Sequence, residues 1–254
     1  MSTSAAAILA HLKSVDDERA QRARTPGLAA KVAALKAYQQ RRFSHTYSDL
    51  LHSERYGAAS RFFLDELYGP TDFAQRDAQF ARVVPALVRL FPSEIVETVA
   101  ALAALHALSE SLDSAMGAHL VGQPIEGIDY VRAWQRTGRR ADREAQVSMT
   151  LDVAGRLDRF TRRVFVRNSL RLMRIPARAA GMTDLQKFLE SGFDTFGEMK
   201  GAQEFVAIVG TRERMLASVL FSAAPESPND PATVQALSTL PIRDAAASRP
   251  GEAK

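Results

Sequence analysis

Apolar residues recur at intervals of three and four along most of this chain, the spacing that gathers them on one face of an α-helix. Ile8, Leu9, Leu12 and Val15 mark a first helix over residues 5–22, ended by Thr25-Pro26-Gly27. Val32, Leu35, Tyr38, Phe43 and Tyr47 mark a second, from Leu28 towards Leu51. A compact helix over Ala58–Tyr68 stops at Gly69-Pro70, because glycine suits the left-handed turn after a helix and proline cannot continue one. Asp72 with Gln75 reads as a capping box opening the next helix, whose interior Pro85 is expected to kink it. Ser93 to about Leu120 forms a long helix closed by Gly122 and Pro124, and roughly Arg140 to Ile175 forms another. Thr183 with Gln186 reads as a second capping box, ahead of Leu185, Phe188, Leu189, Phe196 and Met199. Phe205, Ile208, Val209, Met215, Leu216 and Val219 mark the last helix.

No stretch shows the period-2 alternation and turn chemistry of a hairpin. The expected fold class is all-α, a single bundle of about seven or eight helices. Residues 1–27 form an N-terminal helix and loop, 28–222 the helical domain, and 223–254 a tail. From Ala223 onward there are five prolines and no aromatic residue. The tail is expected to be disordered, with too little apolar surface to offset its ordering entropy.

Composition changes this picture little. Of 254 residues, 46% are hydrophobic and 24% charged, as in a globular protein. Cysteine is absent, which excludes disulfides, thiolate metal sites and cysteine nucleophiles. The N-terminus lacks a basic segment, and its apolar run from Ala5 to Leu9 is too short for a signal peptide. The most apolar window, Ile95–Leu108, is interrupted by Glu97, Thr98 and His106 and falls short of the ~20 residues a spanning helix needs. The expectation is a cytoplasmic protein without a transmembrane segment; its oligomeric state is unassigned.

Charge changes the picture more. The net charge is +4, but Arg139–Arg178 holds eleven arginines against Asp142, Glu144, Asp152 and Asp158. That segment is therefore +7 and the remainder −3, so the basicity is a local feature.

The segment Arg61-Phe62-Phe63-Leu64-Asp65-Glu66-Leu67-Tyr68-Gly69, followed by Asp72-Phe73 and Arg76-Asp77, resembles the FFLEELY-motif proteins, a bacterial family without an assigned function. His106-Ala107-Leu108-Ser109-Glu110 with Leu112-Asp113, Leu170-Arg171-Leu172 with Pro176-Ala177-Arg178, Phe188-Leu189-Glu190, Gly192-Phe193, Phe196 and Arg212-Glu213 also resemble that pattern. The resemblance covers roughly residues 30–220; Asp65 stands where the motif has glutamate. It implies a helical domain and a bacterial source, and lends no reaction.

Three constellations are candidates for a site. In the motif helix, Phe63 with Leu67 and Leu64 with Tyr68 pave an apolar face; alternatively Glu66 or Tyr68 points into a pocket. His106, Glu110 and Asp113 fall within about 60° of one another on their helix, at the edge of its apolar arc. Imidazole plus carboxylates could hold a divalent metal. The Glu-x-x-His spacing of a bundle carboxylate site is missing, however, so a packing network is the plainer reading and no metal or cofactor is expected. Asp158 breaks the apolar arc of the Arg140–Ile175 helix. It must meet a buried arginine, shift its pKa or line a wet cavity.

The third constellation is an arginine stripe. Arg156, Arg159, Arg163, Arg167, Arg171, Arg174 and Arg178 span about 120° of surface if that helix is regular to its end. Leu151, Ala154, Leu157, Val164, Phe165 and Leu172 occupy a separate arc expected to face the core. The plainer reading pairs these arginines with Glu66, Asp72 and Asp77. The functional one sets them against an acidic protein or an anionic lipid surface, with Phe160 sharing the face. Nucleic acid ranks last, for want of aromatic platforms. No phosphate loop, nucleophile elbow or His-Glu-x-x-His is present. The leading expectation is a non-catalytic partner-binding protein that uses the arginine face. A ligand- or metal-binding bundle with an internal pocket, enzyme or not, and a peripheral anionic-lipid-binding protein, are the alternatives.

Overall fold

The computed structural model describes residues 3–67, 73–122 and 124–241, the side chains of residues 3, 4, 66, 67 and 164 excepted. All regular structure among them is helical. At its centre is α6 (Ser93–His119), against which α1 (Thr3–Arg24), α2 (Leu28–Thr46), α7 (Gly127–Thr137) and α8 (Arg140–Thr161) pack. By length and composition alone α6 could cross a bilayer. The C-terminal half of this helix places Glu110, Leu112, Asp113 and Met116 inside the protein. Gly117 permits the closest approach, since a Cβ there would lie 2.6 Å from Val32 Cγ2.

Two short helices, α3 (Ser48–Leu51) and α4 (Gly57–Phe62), follow α2, and α5 (Ala74–Leu90) contains Pro85 as expected. The motif segment is not one α-helix. α4 gives way to a π-helical turn, Phe63–Leu67, the wide-turn geometry that proteins often keep at functional positions. Asp72 of the first expected capping box lies outside the described residues.

The long helix expected over Arg140–Ile175 is broken twice, into α8, α9 (Val164–Leu172) and α10 (Arg174–Ala179). At the first break the Thr161 hydroxyl donates to the Asp158 carbonyl and Arg163 is extended. The side chain thus competes with the backbone at the last turn. The second break follows from Pro176, whose ring clashes with the carbonyl four residues back, Leu172, where α9 ends. Pro176 is instead accommodated in the first turn of α10, where no amide is needed.

After α11 (Thr183–Glu198) and α12 (Gln203–Ser222) comes a helix that the sequence pattern did not suggest, α13 (Pro231–Ser238). The expectation of disorder from Ala223 onward is therefore overturned as far as this helix. Ala223, Ala236 and Leu240 join Leu35, Tyr38, Met116, Tyr130, Trp134 and Leu220 in one core cluster. Asp230 caps α13 by accepting from the Thr233 amide, with Pro231 at the first helical position, both favourable start signals. Residues 242–254 lie outside the described residues. A second cluster gathers Phe43, Tyr47, Tyr56, Phe196 and Phe205, with Phe63 against it, and a third gathers Ile8, Leu12, Val84 and Val96. The second expected capping box does not form: Gln186 is buried and donates to the Leu170 carbonyl and Glu190, tying α11 to α9.

Candidate functional site

Inside the bundle, polar side chains from five helices form a continuous seam. Arg22 of α1 and Lys36 of α2 each approach one oxygen of Glu110 to 2.5 Å, and Arg22 Nε donates to Ser114. Burial raises the Glu110 carboxyl, but Lys36 and Arg22 outweigh it and hold the group down at about 2. One turn along, Gln39 Nε2 donates to Asp113 Oδ1 at 3.1 Å. Burial dominates there and pushes the Asp113 carboxyl up, with Lys36 opposing it and Glu110 adding to it. Further on, Arg42 of α2 pairs with Glu213 of α12, whose same oxygen accepts from the Tyr47 hydroxyl at 2.7 Å. Arg143 of α8, also buried, donates to Gln146 Oε1 and lies 4.2 Å from the Trp134 ring centroid.

Beside this seam lies a cavity of about 60 Å³. Gln39, Arg42, Tyr130, Arg143, Gln146 and Glu213 form its polar wall, and Phe43, Phe63, Val147, Phe205 and Val209 its apolar one. Trp134 also lines it, and the indole Nε1–H is buried without a partner among the described residues. Burial pushes the Tyr130 phenol up, against the opposing pull of Arg42 and Arg143.

The expected pocket residues do not share one site. Glu110 and Asp113 belong to the seam, but His106 turns away to Asp77, at 3.0 Å, where Arg19 also binds at 2.7 Å. Burial would raise Asp77, and the hydrogen bonds and charges of His106 and Arg19 bring it below its usual range instead. Glu110 faces two cations, and among the described residues no group of three or more histidines and carboxylates gathers as a metal site would need. Asp158 meets an arginine, though an exposed one and not the buried one expected: it accepts from Arg162 at 2.9 Å, the Ala202 amide at 3.0 Å and Gln203. It thereby fastens α8 to the start of α12, away from the cavity. The Glu66 side chain and Tyr68 lie outside the described residues.

The sequence reading missed most of the seam. Arg143 shares a helix face with Val147, Leu151 and Ala154, so a charge on an apolar face was its available signal. Tyr130 and Trp134 ride on α7, whose start carries a Glu126–Asp129 capping box; that spacing was legible but the helix is short.

The chain matches the family described as "Domain of unknown function (DUF8198)" over residues 18–227. It belongs to that family. The match takes in every residue of the seam and cavity, and it reaches back before the segment on which the resemblance rests. No curated protein and no solved structure matches the chain.

The expected arginine face is distributed over α8, α9 and α10 and is not one helical stripe. Arg156 is half-buried beside Asp152, and Arg163 pairs with Glu94, Arg167 with Asp194 and Arg174 with Glu190. Of the expected partners, Asp77 binds Arg19 and His106 instead, and Asp72 and the Glu66 side chain lie outside the described residues. Arg159, Arg171 and Arg178 are exposed. Two residues expected in the core are outside it: Phe165 is 63% and Leu172 78% exposed, while Phe160, expected on the face, is buried. Ile175, 83% exposed, and Met173 extend the apolar surface. The reason is the pair of helix breaks, which rotates α9 and α10 out of the register that α8 sets.

Proposed function

We propose that this protein is a non-catalytic docking protein whose α9–α10 face takes an acidic protein partner. One observation carries the reading: Phe165, Leu172 and Ile175 stand exposed within a segment, Arg159–Thr183, that holds seven arginines and no carboxylate. Exposed bulky apolar groups interleaved with arginine are the composition of an interface core and its rim. The ion pairs already on this face are solvent-exposed, worth about 0–1 kcal/mol each, so a partner's carboxylates exchange into them at little cost. Glu94, Glu190 and Asp194 border the arginines they pair with. A uniformly anionic bilayer is repelled by that border, whereas a protein can place its acidic groups between.

Photo-crosslinking tests the reading. A photoreactive residue at Ile175 should capture a discrete acidic protein from source extract. The same probe at Val121, equally exposed but elsewhere, should not. Arg171→Glu with Arg178→Glu should abolish capture while leaving circular dichroism unchanged. Equal capture from both positions, or capture indifferent to the charge reversal, overturns it. The apolar residues also suit a lipid surface; co-sedimentation with phosphatidylserine vesicles, lost in the same variant, would favour that second reading.

A further inference from the structure

We propose that the partner meets the α9–α10 face with an acidic amphipathic helix that repeats the pattern α11 already presents there; this rests on the docking reading above. The molecule carries its own precedent for such a contact. On α11, Glu190 and Asp194 stand one turn apart and pair with Arg174 at 2.6 Å and Arg167 at 3.0 Å. Leu170 lies between those two arginines in the chain, and Phe193 of α11 shares with it the shallow cleft between α9 and α11. A helix thus engages two arginines through a Glu-x-x-Phe-Asp spacing, with apolar side chains between the ion pairs.

Four residues further along the chain the arginine pair recurs. Arg171 and Arg178 have the same sequence separation as Arg167 and Arg174, again one on α9 and one on α10, with Ile175 between them. Both are exposed, and among the described residues neither guanidinium is paired with a carboxylate. The Glu190 carboxyl is lowered by its bonds to Arg174 and Gln186; Arg171 adds to this only by its charge, through space. Leu170 and Phe193 are half-buried in their cleft, whereas Leu172 and Ile175 stand in water. A helix suits this second pair for a geometric reason. Residues three and four apart share a helix face, so one partner helix sets two carboxylates and an apolar residue against Arg171, Ile175 and Arg178. An extended chain alternates its faces and would turn the apolar member of the triplet away from its carboxylates.

The probe is a fluorescein-labelled, alanine-based peptide carrying Glu-Ala-Ala-Phe-Asp twice, titrated with full-length protein in about 0.15 M salt and read by anisotropy. It should bind saturably. A proline at the centre of the peptide, which keeps its charge and breaks its helix, should weaken binding at least tenfold. Replacing the peptide's acids by Gln and Asn should do the same. Arg171→Gln with Arg178→Gln should weaken binding at least tenfold, while Arg159→Gln, equally exposed but on α8, should leave it unchanged. No saturable binding, equal binding of the proline-broken peptide, or equal losses in the two protein variants overturns the proposal. The Ile175 photoprobe separates this inference from the reading beneath it. An acidic protein captured there without peptide binding sinks the helix alone, and no capture sinks the docking reading with it.

Discussion

Arginine serves two opposite purposes in this molecule. In the interior seam, Arg22, Arg42 and Arg143 are each less than a tenth exposed and are held among named groups: Glu110 and Ser114, Glu213, Gln146 and Trp134. On α9–α10, arginines lie in water beside carboxylates that are themselves partly or wholly solvated. The same side chain is thus a fastener in one region and a loosely engaged contact group in the other. The difference is dielectric. Removing one partner of a buried pair leaves an uncompensated charge out of water, whereas an exposed charge left alone is rehydrated.

The largest expected effect tests the interior. Glu110→Ala strands both Arg22 and Lys36 and should cost about 3–5 kcal/mol, read from the urea midpoint at constant m-value; Glu190→Ala on α11, which frees Arg174, should cost less than about 1 kcal/mol. Equal costs for the two would erase the contrast. Acid should reproduce part of the first effect. Because Glu110 is held at about 2 against an ordinary 4.5, its contribution is complete above about pH 4.5. It is lost as pH falls towards 2, on the order of 3 kcal/mol in total. Glu110→Gln should flatten that acid limb, and an unchanged limb would show that other carboxylates govern it.

Packing around the seam comes next. Gly117→Ala drives a methyl into Val32 and should destabilise by about 1–3 kcal/mol through overpacking, measurable by thermal melting. Asp113 carries the opposite sign from Glu110. A carboxyl raised by burial favours folding at low pH and opposes it as pH rises through its ordinary range. Asp113→Asn keeps an acceptor for Gln39 and should be neutral, or stabilising by up to about 1 kcal/mol, at pH 7. That gain should vanish below pH 4; a loss at pH 7 would mean the ionised form is an active part of the seam. Smallest of all, Leu172→Ser with Ile175→Ser should leave stability within about 0.5 kcal/mol, since neither side chain packs in the core. A larger loss would place α9 and α10 inside the cooperative fold.

Secondary structure was legible to different degrees along the chain. The pattern located α1, α2, α5, α6, α11 and α12 because each carries a long periodic face. It overlooked α7 and α13, which are short, and α13 sits in a proline-rich stretch expected to be disordered, although Pro231 occupies a first helical turn. Neither break around α9 announces itself through glycine. The first arises from Thr161 and the second from a proline acting four residues upstream. Of the candidate residues, Glu110 and Asp113 were found from helical spacing, while Arg42, Arg143 and Glu213 escaped notice. A charged side chain that is paired by a distant helix looks, in sequence, like any surface charge.

The sequence by itself determined that this protein is helical, where its longest helices lie and that positive charge concentrates after residue 139. Those are local properties, set by periodicity, turn chemistry and composition. Which charges are buried, which of them meet, and that Phe165 and Leu172 face outward were decided only by tertiary structure. Those outcomes depend on how α6 is surrounded and on where one continuous pattern is broken into three helices, and a break of one residue is enough to rotate every side chain after it.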